Sequence, residues 1–108
     1  MTVNELLTRA DLTAAALPDG DREVTGVYIG DLLSWVMGRA TSGDAWITIM
    51  SNRNIAAVAT LADTACIILA EGVQPDEGVA ALAEEKGINL LLSSVSAYEP
   101  ALRLRDAL

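Results

Sequence analysis

The chain has 108 residues, of which 52% are hydrophobic, and a formal net charge of -8 at pH 7. A chain of this length is expected to form one domain with a core that needs no disulfide or metal. The acidic balance argues against nucleic acid and anionic membrane surfaces as partners, because both would be repelled.

The single cysteine points to a reducing compartment. Cys66 has no partner for an internal disulfide and lies inside the apolar run "CIILA". We therefore predict an inert, buried thiol in a cytoplasmic protein. No apolar run approaches the roughly 18 residues that cross a bilayer, so we expect no membrane span.

The N-terminal third predicts a helix, an ambiguous segment and a strand. Residues 2–10 place apolar side chains at helical spacing. Residues 12–17 fit either a strand or a continuation of that helix, and 18–21 form a turn. "EVTGVYIG" (23–30) has the β-branched and aromatic content of a strand. Asp31 then predicts an N-cap for the helix "LLSWVMGRA".

The middle of the chain alternates strands and helices. "AWITIM" (45–50) predicts a strand, and 55–63 predict a helix with one apolar face. "ACIILA" (65–70) is apolar on both faces, as expected for a strand inside a parallel sheet. Residues 76–86 predict a helix with Asp76 and Glu77 in its first turn, and Gly87 supplies a left-handed stop.

The C-terminal part predicts another buried strand at 88–94 and a closing helix. Two starts are open for that helix. Ser96 and Glu99 have the spacing of a capping box, whereas Pro100 favours a slightly later start with proline in the first turn. The alternation predicts a single α/β domain over 1–108, with a mostly parallel central sheet of about 4–5 strands flanked by helices.

Four polar turns follow the predicted strands and should converge on one edge of the sheet. In a parallel sheet all carboxyl ends share an edge, and ligands usually bind there. We therefore predict a small-ligand site at this rim. Its residues are Asp31, Ser51, Asn52, Arg53, Asn54, Glu71, Gly72, Ser93, Ser94 and Ser96.

The stretch Ser51–Asn54 has two interpretations. Asn52 or Asn54 can cap the helix that begins near Ile55, which stabilises it by about 0.5 to 2 kcal/mol. Arg53 is not needed for capping and opposes the helix dipole there. It can face a bound anion, another subunit, or Glu71 as an ion-pair partner.

The residues for common enzyme chemistry are missing, so we predict a protein that is not an enzyme and has no catalytic residue. The chain has no histidine, which excludes a histidine base and a Ser-His-Asp triad. No cysteine and histidine cluster offers a zinc site, and no phosphate-binding loop motif occurs. We expect no metal and no cofactor, although a nucleotide is possible. Trp35 and Trp46 can each be a core residue or an interface residue, and the sequence does not distinguish the two.

The order of the pieces resembles a known family. The segments "GDLLSWVM", "WITI" followed by "NIAAVA", and "ACIILAEG" are similar to the DRTGG domain family and to the N-terminal domain of HPr kinase/phosphatase. In this resemblance Asn52-Arg53 takes the place of the Asp-Arg of the family name and Ala70-Glu71-Gly72 that of its Thr-Gly-Gly, so that only Arg53 and Gly72 match. A more literal match is Asp21-Arg22 with Thr25-Gly26.

The resemblance implies a regulatory module with no catalytic activity of its own. Such domains are often fused to CBS domains, to phosphotransacetylase or to a kinase. We expect a stand-alone regulatory or interaction module that acts on a separately encoded enzyme or kinase, through self-association into a homodimer or higher oligomer. The alternative is a sensor that binds a nucleotide or anion at the rim, in keeping with the similar N-terminal domains of Mur ligases.

Overall fold

The computed structural model describes residues 1–108 and contains one five-stranded sheet with helices on both faces. The predicted α/β class with a mostly parallel sheet is confirmed. The longest helix has 10 residues, about half of what a bilayer requires, and no helix can span a membrane. The elements are α1 (Val3–Arg9), β1 (Thr13–Ala16), β2 (Gly26–Ile29), α2 (Leu33–Arg39), β3 (Asp44–Thr48), α3 (Asn54–Ala62), β4 (Cys66–Leu69), α4 (Val79–Lys86), β5 (Leu90–Leu92) and α5 (Tyr98–Ala107).

The strands lie in the order β1-β5-β4-β3-β2. Strands β2 to β5 are parallel and follow chain order, whereas β1 pairs antiparallel with β5. The segment 12–17, left open by the sequence, is thus an edge strand. Its direction brings the turn between α1 and β1 to the edge where the parallel strands end.

Side chains alternate between two cores. Trp46 and Ile67 face one side of the sheet and pack with α2, α3 and α4. Ile47 and Ile68 face the other side and pack with α1 and α5. Strands β3 and β4 are buried on both faces, as predicted for central parallel strands.

The three crossover helices share one face because β2 to β5 are added in sequence order. The parallel part of the sheet therefore has no reversal of strand order. Such a reversal is what opens a crevice between helices on opposite faces in doubly wound sheets. Concave surfaces at the carboxyl edge depend here on the turns themselves.

One predicted helix end is confirmed in detail. Gly87 ends α4 with a φ of 76°, and the amide of Ile88 donates to the Ala83 carbonyl at 2.8 Å. This is the Schellman arrangement, which a residue with a side chain adopts only with strain.

Two predicted helix starts are wrong. Helix α2 begins at Leu33 and has no side-chain cap, because the Asp31 carboxylate bonds instead to the end of β3. Helix α4 begins at Val79 rather than at 76, because Gly78 precedes it with a φ of 83°. Asp76 therefore lies in the loop before that helix.

The last helix follows the second of its two predicted starts. Helix α5 begins at Tyr98 with no side-chain cap, so the Ser96–Glu99 capping box does not form. Pro100 lies in the first turn, where a missing amide hydrogen costs nothing.

The long connection from β1 to β2 runs along the amino edge of the sheet and is tied down by Asn89. This side chain is 2% exposed. Its amide donates to the carbonyls of Asp19 and Ala65 and its oxygen accepts from the Asp19 amide. The three hydrogen bonds of this buried side-chain amide hold the connection against the amino edge of the sheet.

Candidate functional site

The carboxyl edge of the sheet holds the turns that the sequence placed there, and also the turn between α1 and β1. We call this edge the rim. The half that follows β2 and β3 and the half that follows β4 and β5 differ in structure, and are described in turn.

Asp31 is a structural residue of the first half. Its carboxylate accepts from the Thr48 hydroxyl at 2.8 Å and from the Ile49 amide at 3.0 Å. The Thr48 hydroxyl in turn accepts from the Met50 amide. Asp31 therefore fixes the end of β3 to the end of β2, and both of these bonds use its Oδ1 atom.

The side chains of Ser51 and Asn52, the next two predicted residues, also form hydrogen bonds within the protein. The Ser51 hydroxyl donates to Asp76 at 2.9 Å, and the Asp76 amide donates to the Ser51 carbonyl. The Asn52 side-chain oxygen accepts from the Asn54 amide at 2.9 Å. This bond lies at the start of α3, where Arg53 is the residue before the helix and provides no side-chain cap, and Asn54 is the first helical residue.

The suggested ion pair between Arg53 and Glu71 is not formed. The chain has two ion pairs, Met1–Glu23 and Arg22–Asp63, and neither includes Arg53. Arg53 is exposed and lines a groove between α3 and α4. Glu71 lies in the turn after β4. Its backbone amide donates to the carbonyl of Val95, just after β5, at 2.8 Å.

The second half of the rim is an open cleft of about 310 Å³. Among its lining residues are Gly72, Gln74, Ser94 and Asp11. Glu71, beside the cleft, has a φ of 62° and Asp11 a φ of 56°. Residues other than glycine rarely adopt this left-handed conformation, but Asp63 at the amino edge also has a φ of 56°, so this conformation does not by itself mark the rim.

The three predicted serines differ in the freedom of their hydroxyls. Ser93 is 3% exposed, and its hydroxyl bonds within the turn to the amide and carbonyl of Val95. Ser94 and Ser96 are exposed and their hydroxyls make no hydrogen bond within the protein. Two of the three serines can therefore bond to a ligand.

A neighbouring cleft of about 350 Å³ adds two cations that the sequence did not single out. Arg9 ends α1, Arg103 lies on α5, and both line this cleft with Ser96 and the acidic residues Asp11 and Glu99. Neither arginine forms an ion pair. Recognising Arg9 required the direction of β1, because only an antiparallel β1 carries the end of α1 to the rim.

The remaining reactive groups lie away from the rim. Burial raises the pKa of Cys66 to about 12, so its thiol stays protonated at neutral pH. This confirms the predicted inert thiol. No group of three or more acidic, cysteine or histidine side chains is placed to hold a metal ion.

The two tryptophans separate clearly. Trp46 is fully buried in β3, and its indole nitrogen donates to the Gly30 carbonyl at 2.8 Å. Trp35 is 52% exposed on α2, with the Arg39 guanidinium 3.7 Å above its ring. The core residue is therefore Trp46, and Trp35 is the one available for contact.

The literal match Asp21-Arg22 with Thr25-Gly26 lies at the amino edge, opposite the rim. Arg22 forms an ion pair with Asp63 at 3.1 Å. A hydrogen bond from Ser42, together with Arg22, lowers the pKa of Asp63. These contacts are internal to the fold.

Comparison with known proteins gives one family and one fold. The family model described as "DRTGG domain" matches residues 8–107. A solved structure of the CBS and DRTGG domains of the regulatory region of Clostridium perfringens pyrophosphatase, complexed with the activator diadenosine tetraphosphate, has a TM-score of 0.74 and 14% identity. The likeness covers 99% of this chain and 47% of that one, so this chain spans about half its length. Curated proteins give no significant match.

Proposed function

Because the chain belongs to the DRTGG domain family, we propose that it is a regulatory module that acts on a separately encoded enzyme or kinase and catalyses no step itself. The solved regulatory region with the same fold supports this role. We take residues 1–108 as a single DRTGG-like domain. The lone buried cysteine supports a cytoplasmic location.

An exposed apolar surface at the β2 edge of the sheet is the observation that carries this proposal. Ile29, Leu32 and Trp35 expose 53%, 56% and 52% of their surface. Ile29 is the last residue of β2, Leu32 immediately precedes α2, and Trp35 lies in the first turn of that helix. The outermost strand, β2, turns one row of backbone groups away from the sheet. Apolar side chains grouped in this way mark protein contacts.

A second copy of the chain is the partner that we propose for this surface. The same edge from two copies can meet about a two-fold axis, which is the commonest symmetry of soluble oligomers. Trp35 and Arg39, stacked on one another, are the residue types that dominate interface energies. Self-association would then control whether the surface that contacts the regulated enzyme is accessible.

Sedimentation velocity tests the dimer. We expect Trp35→Ala to weaken self-association about tenfold or more, as for a central interface residue. Tyr98→Ala is the matched control, because Tyr98 is also exposed but lies on α5. A wild-type protein that stays monomeric at about millimolar concentration, where even weak dimers form, would contradict the dimer.

Titration against candidate partner enzymes tests the regulatory role. We expect the protein to bind one of them and to change its rate. A saturating amount of protein that neither binds nor alters the rate would show that the assigned role is wrong.

The alternative function is a sensor for a phosphate-bearing nucleotide, and the observation that favours it is the pair of rim clefts. Arg9 and Arg103 are free to bond to phosphate, as charge-assisted donors do. Ser96 adds a hydroxyl in the same cleft, and Ser94 and Gly72 add hydroxyl and backbone groups in the neighbouring one. We assign the ligand to this half of the rim, where Ser93 bonds within the turn after β5. Asp31, Ser51 and Asn52 support the turns of the other half.

Thermal unfolding with diadenosine tetraphosphate, ATP and AMP tests the sensor. A ligand at 100 times its dissociation constant should add about 2.7 kcal/mol to the free energy of unfolding. Arg103→Ala should remove most of this gain, and Arg105→Ala, on the same helix but outside the clefts, should retain it. No gain with any nucleotide, or a gain that Arg53→Ala alone removes, would rule out this site.

A further inference from the structure

The largest cavity of the molecule is a groove of about 500 Å³ between α3 and α4. It lies on the face of the sheet covered by the three crossover helices, away from the rim clefts. We call it the α3–α4 groove. Its main lining residues are Arg53, Ala57, Thr60, Leu61, Leu82 and Lys86.

The groove is positively charged in an acidic protein. The charged residues that line it are Arg53 and Lys86, with no aspartate or glutamate among them. Both cations are exposed, and neither forms an ion pair. The chain as a whole has a net charge of -8. Charge complementarity therefore selects a partner that carries carboxylates at this place.

The two cations lie toward opposite ends of the groove. Both helices run from the carboxyl edge of the sheet back to the amino edge, since each connects two parallel strands. Arg53 precedes the first residue of α3, and Lys86 is the last residue of α4. The α3 side of the groove, from Arg53 to Leu61, is about 12 Å long at 1.5 Å per residue.

The lining between the cations suits a helix better than a nucleotide. The Thr60 hydroxyl already donates to the Ala56 carbonyl at 2.9 Å, and no aromatic ring is present for a base to stack on. Alanine side chains allow close approach of a helix backbone. Leu61, which is 69% exposed, and Leu82 offer contacts for apolar side chains, as in other helix-binding grooves.

We propose that the α3–α4 groove docks an acidic amphipathic helix of a partner protein. Two carboxylates at positions i and i+7 lie on one face of a helix, about 10 Å apart. They would reach Arg53 and Lys86, and apolar side chains at i+3 and i+4 would meet Leu61 and Leu82. The proposal rests on the regulatory role, because it names where the regulated partner binds.

Fluorescence anisotropy with a designed peptide tests the groove without any partner enzyme. The probe is a labelled helix of about 18 residues, long enough to be partly helical, with glutamates at i and i+7 and leucines at i+3 and i+4. We expect binding by the full chain that weakens at high salt. Arg53→Ala and Lys86→Ala should each weaken it about fivefold, and Arg105→Ala should leave it unchanged.

A charge exchange sharpens the test. The double variant Arg53→Glu with Lys86→Glu should lose the glutamate peptide and bind a peptide with lysines at the same positions. Both cations are exposed and unpaired, so circular dichroism should show an unchanged fold. Failure of the peptide to bind would overturn the groove alone, because titration with candidate partner enzymes reports the regulatory role separately.

Three further results would overturn the proposal. Equal binding of a peptide with glutamine in place of glutamate would show that the groove does not recognise the negative charge of the peptide. Competition by diadenosine tetraphosphate that Arg53→Ala abolishes would make the groove a nucleotide site. A change of oligomeric state in the double variant would make a second copy of the chain the occupant.

Discussion

The two halves of the rim are built from similar turn residues but differ in what their polar groups bond to. After β2 and β3, Asp31, Ser51 and Asn52 are bonded to neighbouring backbone or side chains. After β4 and β5, Ser94 and Ser96 keep free hydroxyls, and Ser96 shares its cleft with the unpaired Arg9 and Arg103. A polar residue at the carboxyl edge is therefore not necessarily a ligand-binding residue. The two halves differ in whether their polar side chains still have hydrogen-bonding groups free for a ligand.

The largest effect should come from Asp31→Ala. It removes two hydrogen bonds and leaves the Thr48 hydroxyl, on a residue 2% exposed, without its acceptor. We expect a loss of about 1 to 3 kcal/mol of unfolding free energy in urea titrations. Ser94→Ala, from the other half, should change it by less than about 0.5 kcal/mol. Similar losses in both variants would remove the distinction between the halves.

The next effect tests the helix cap. Asn52→Ala removes the side-chain acceptor for the Asn54 amide and should cost about 0.5 to 2 kcal/mol. Asn54→Ala is the matched control, since it keeps that acceptor and replaces an exposed helical residue with a good helix former. Urea titrations of both variants check this. A loss of stability in Asn54→Ala but not in Asn52→Ala would show that Asn52 does not stabilise the start of the helix.

A smaller effect of opposite sign is expected at the strained turn. Glu71 has a φ of 62°, which glycine adopts freely, so Glu71→Gly should be neutral or stabilising by up to about 1 kcal/mol. Glu84→Gly, in the exposed interior of α4, should instead cost about 0.8 to 1 kcal/mol. If differential scanning calorimetry shows both variants equally destabilised, the turn at Glu71 carries no strain.

The smallest effect concerns the paired and unpaired arginines, and it depends on pH. The folded-state pKa of Asp63 is lowered by Ser42 and Arg22, so this contribution to stability is present above the unfolded pKa of 3.8. It is lost as the pH falls through the lower folded value.

Thermal unfolding at pH 7 and at about pH 3, which is below the ordinary aspartate pKa of 3.8, measures this difference. Arg22→Ala should lower the melting temperature at pH 7, and the difference from wild type should shrink at the lower pH. Arg103→Ala should show little change at either pH, because it has no ion pair to lose. A pH-independent effect of Arg22→Ala would mean that the arginine acts through packing alone.

The strands and helices were predictable because their signals are local. The apolar run at 65–70 identified β4, and Gly87 marked the end of α4. The wrong helix starts have a common cause: acidic residues suited to capping, Asp31 and Asp76, are drawn into contacts with distant turns. Such contacts depend on which strands are neighbours, which the residue pattern does not specify.

The site was predictable only as a set of turns. The parallel-sheet rule placed Gly72, Ser94 and Ser96 at the rim, but their separation from Arg53 depends on the direction in which each turn leaves the sheet. Arg9 was missed because the direction of β1 was open. The two tryptophans were ambiguous for a similar reason, since burial of Trp46 depends on β3 being a central strand.

The pairing of β1 with β5 has a consequence for how the chain acquires its structure. Thr13 pairs with Leu92, so β1 leaves the ribosome before its partner strand and stays unpaired until about 80 further residues follow. At roughly 5 to 20 residues per second this wait lasts about 4 to 16 s. The β1 segment, rich in alanine and short, is poorly suited to pair with other chains during that interval. Loss of the last strand and helix would leave the beginning of the chain without a place in the sheet.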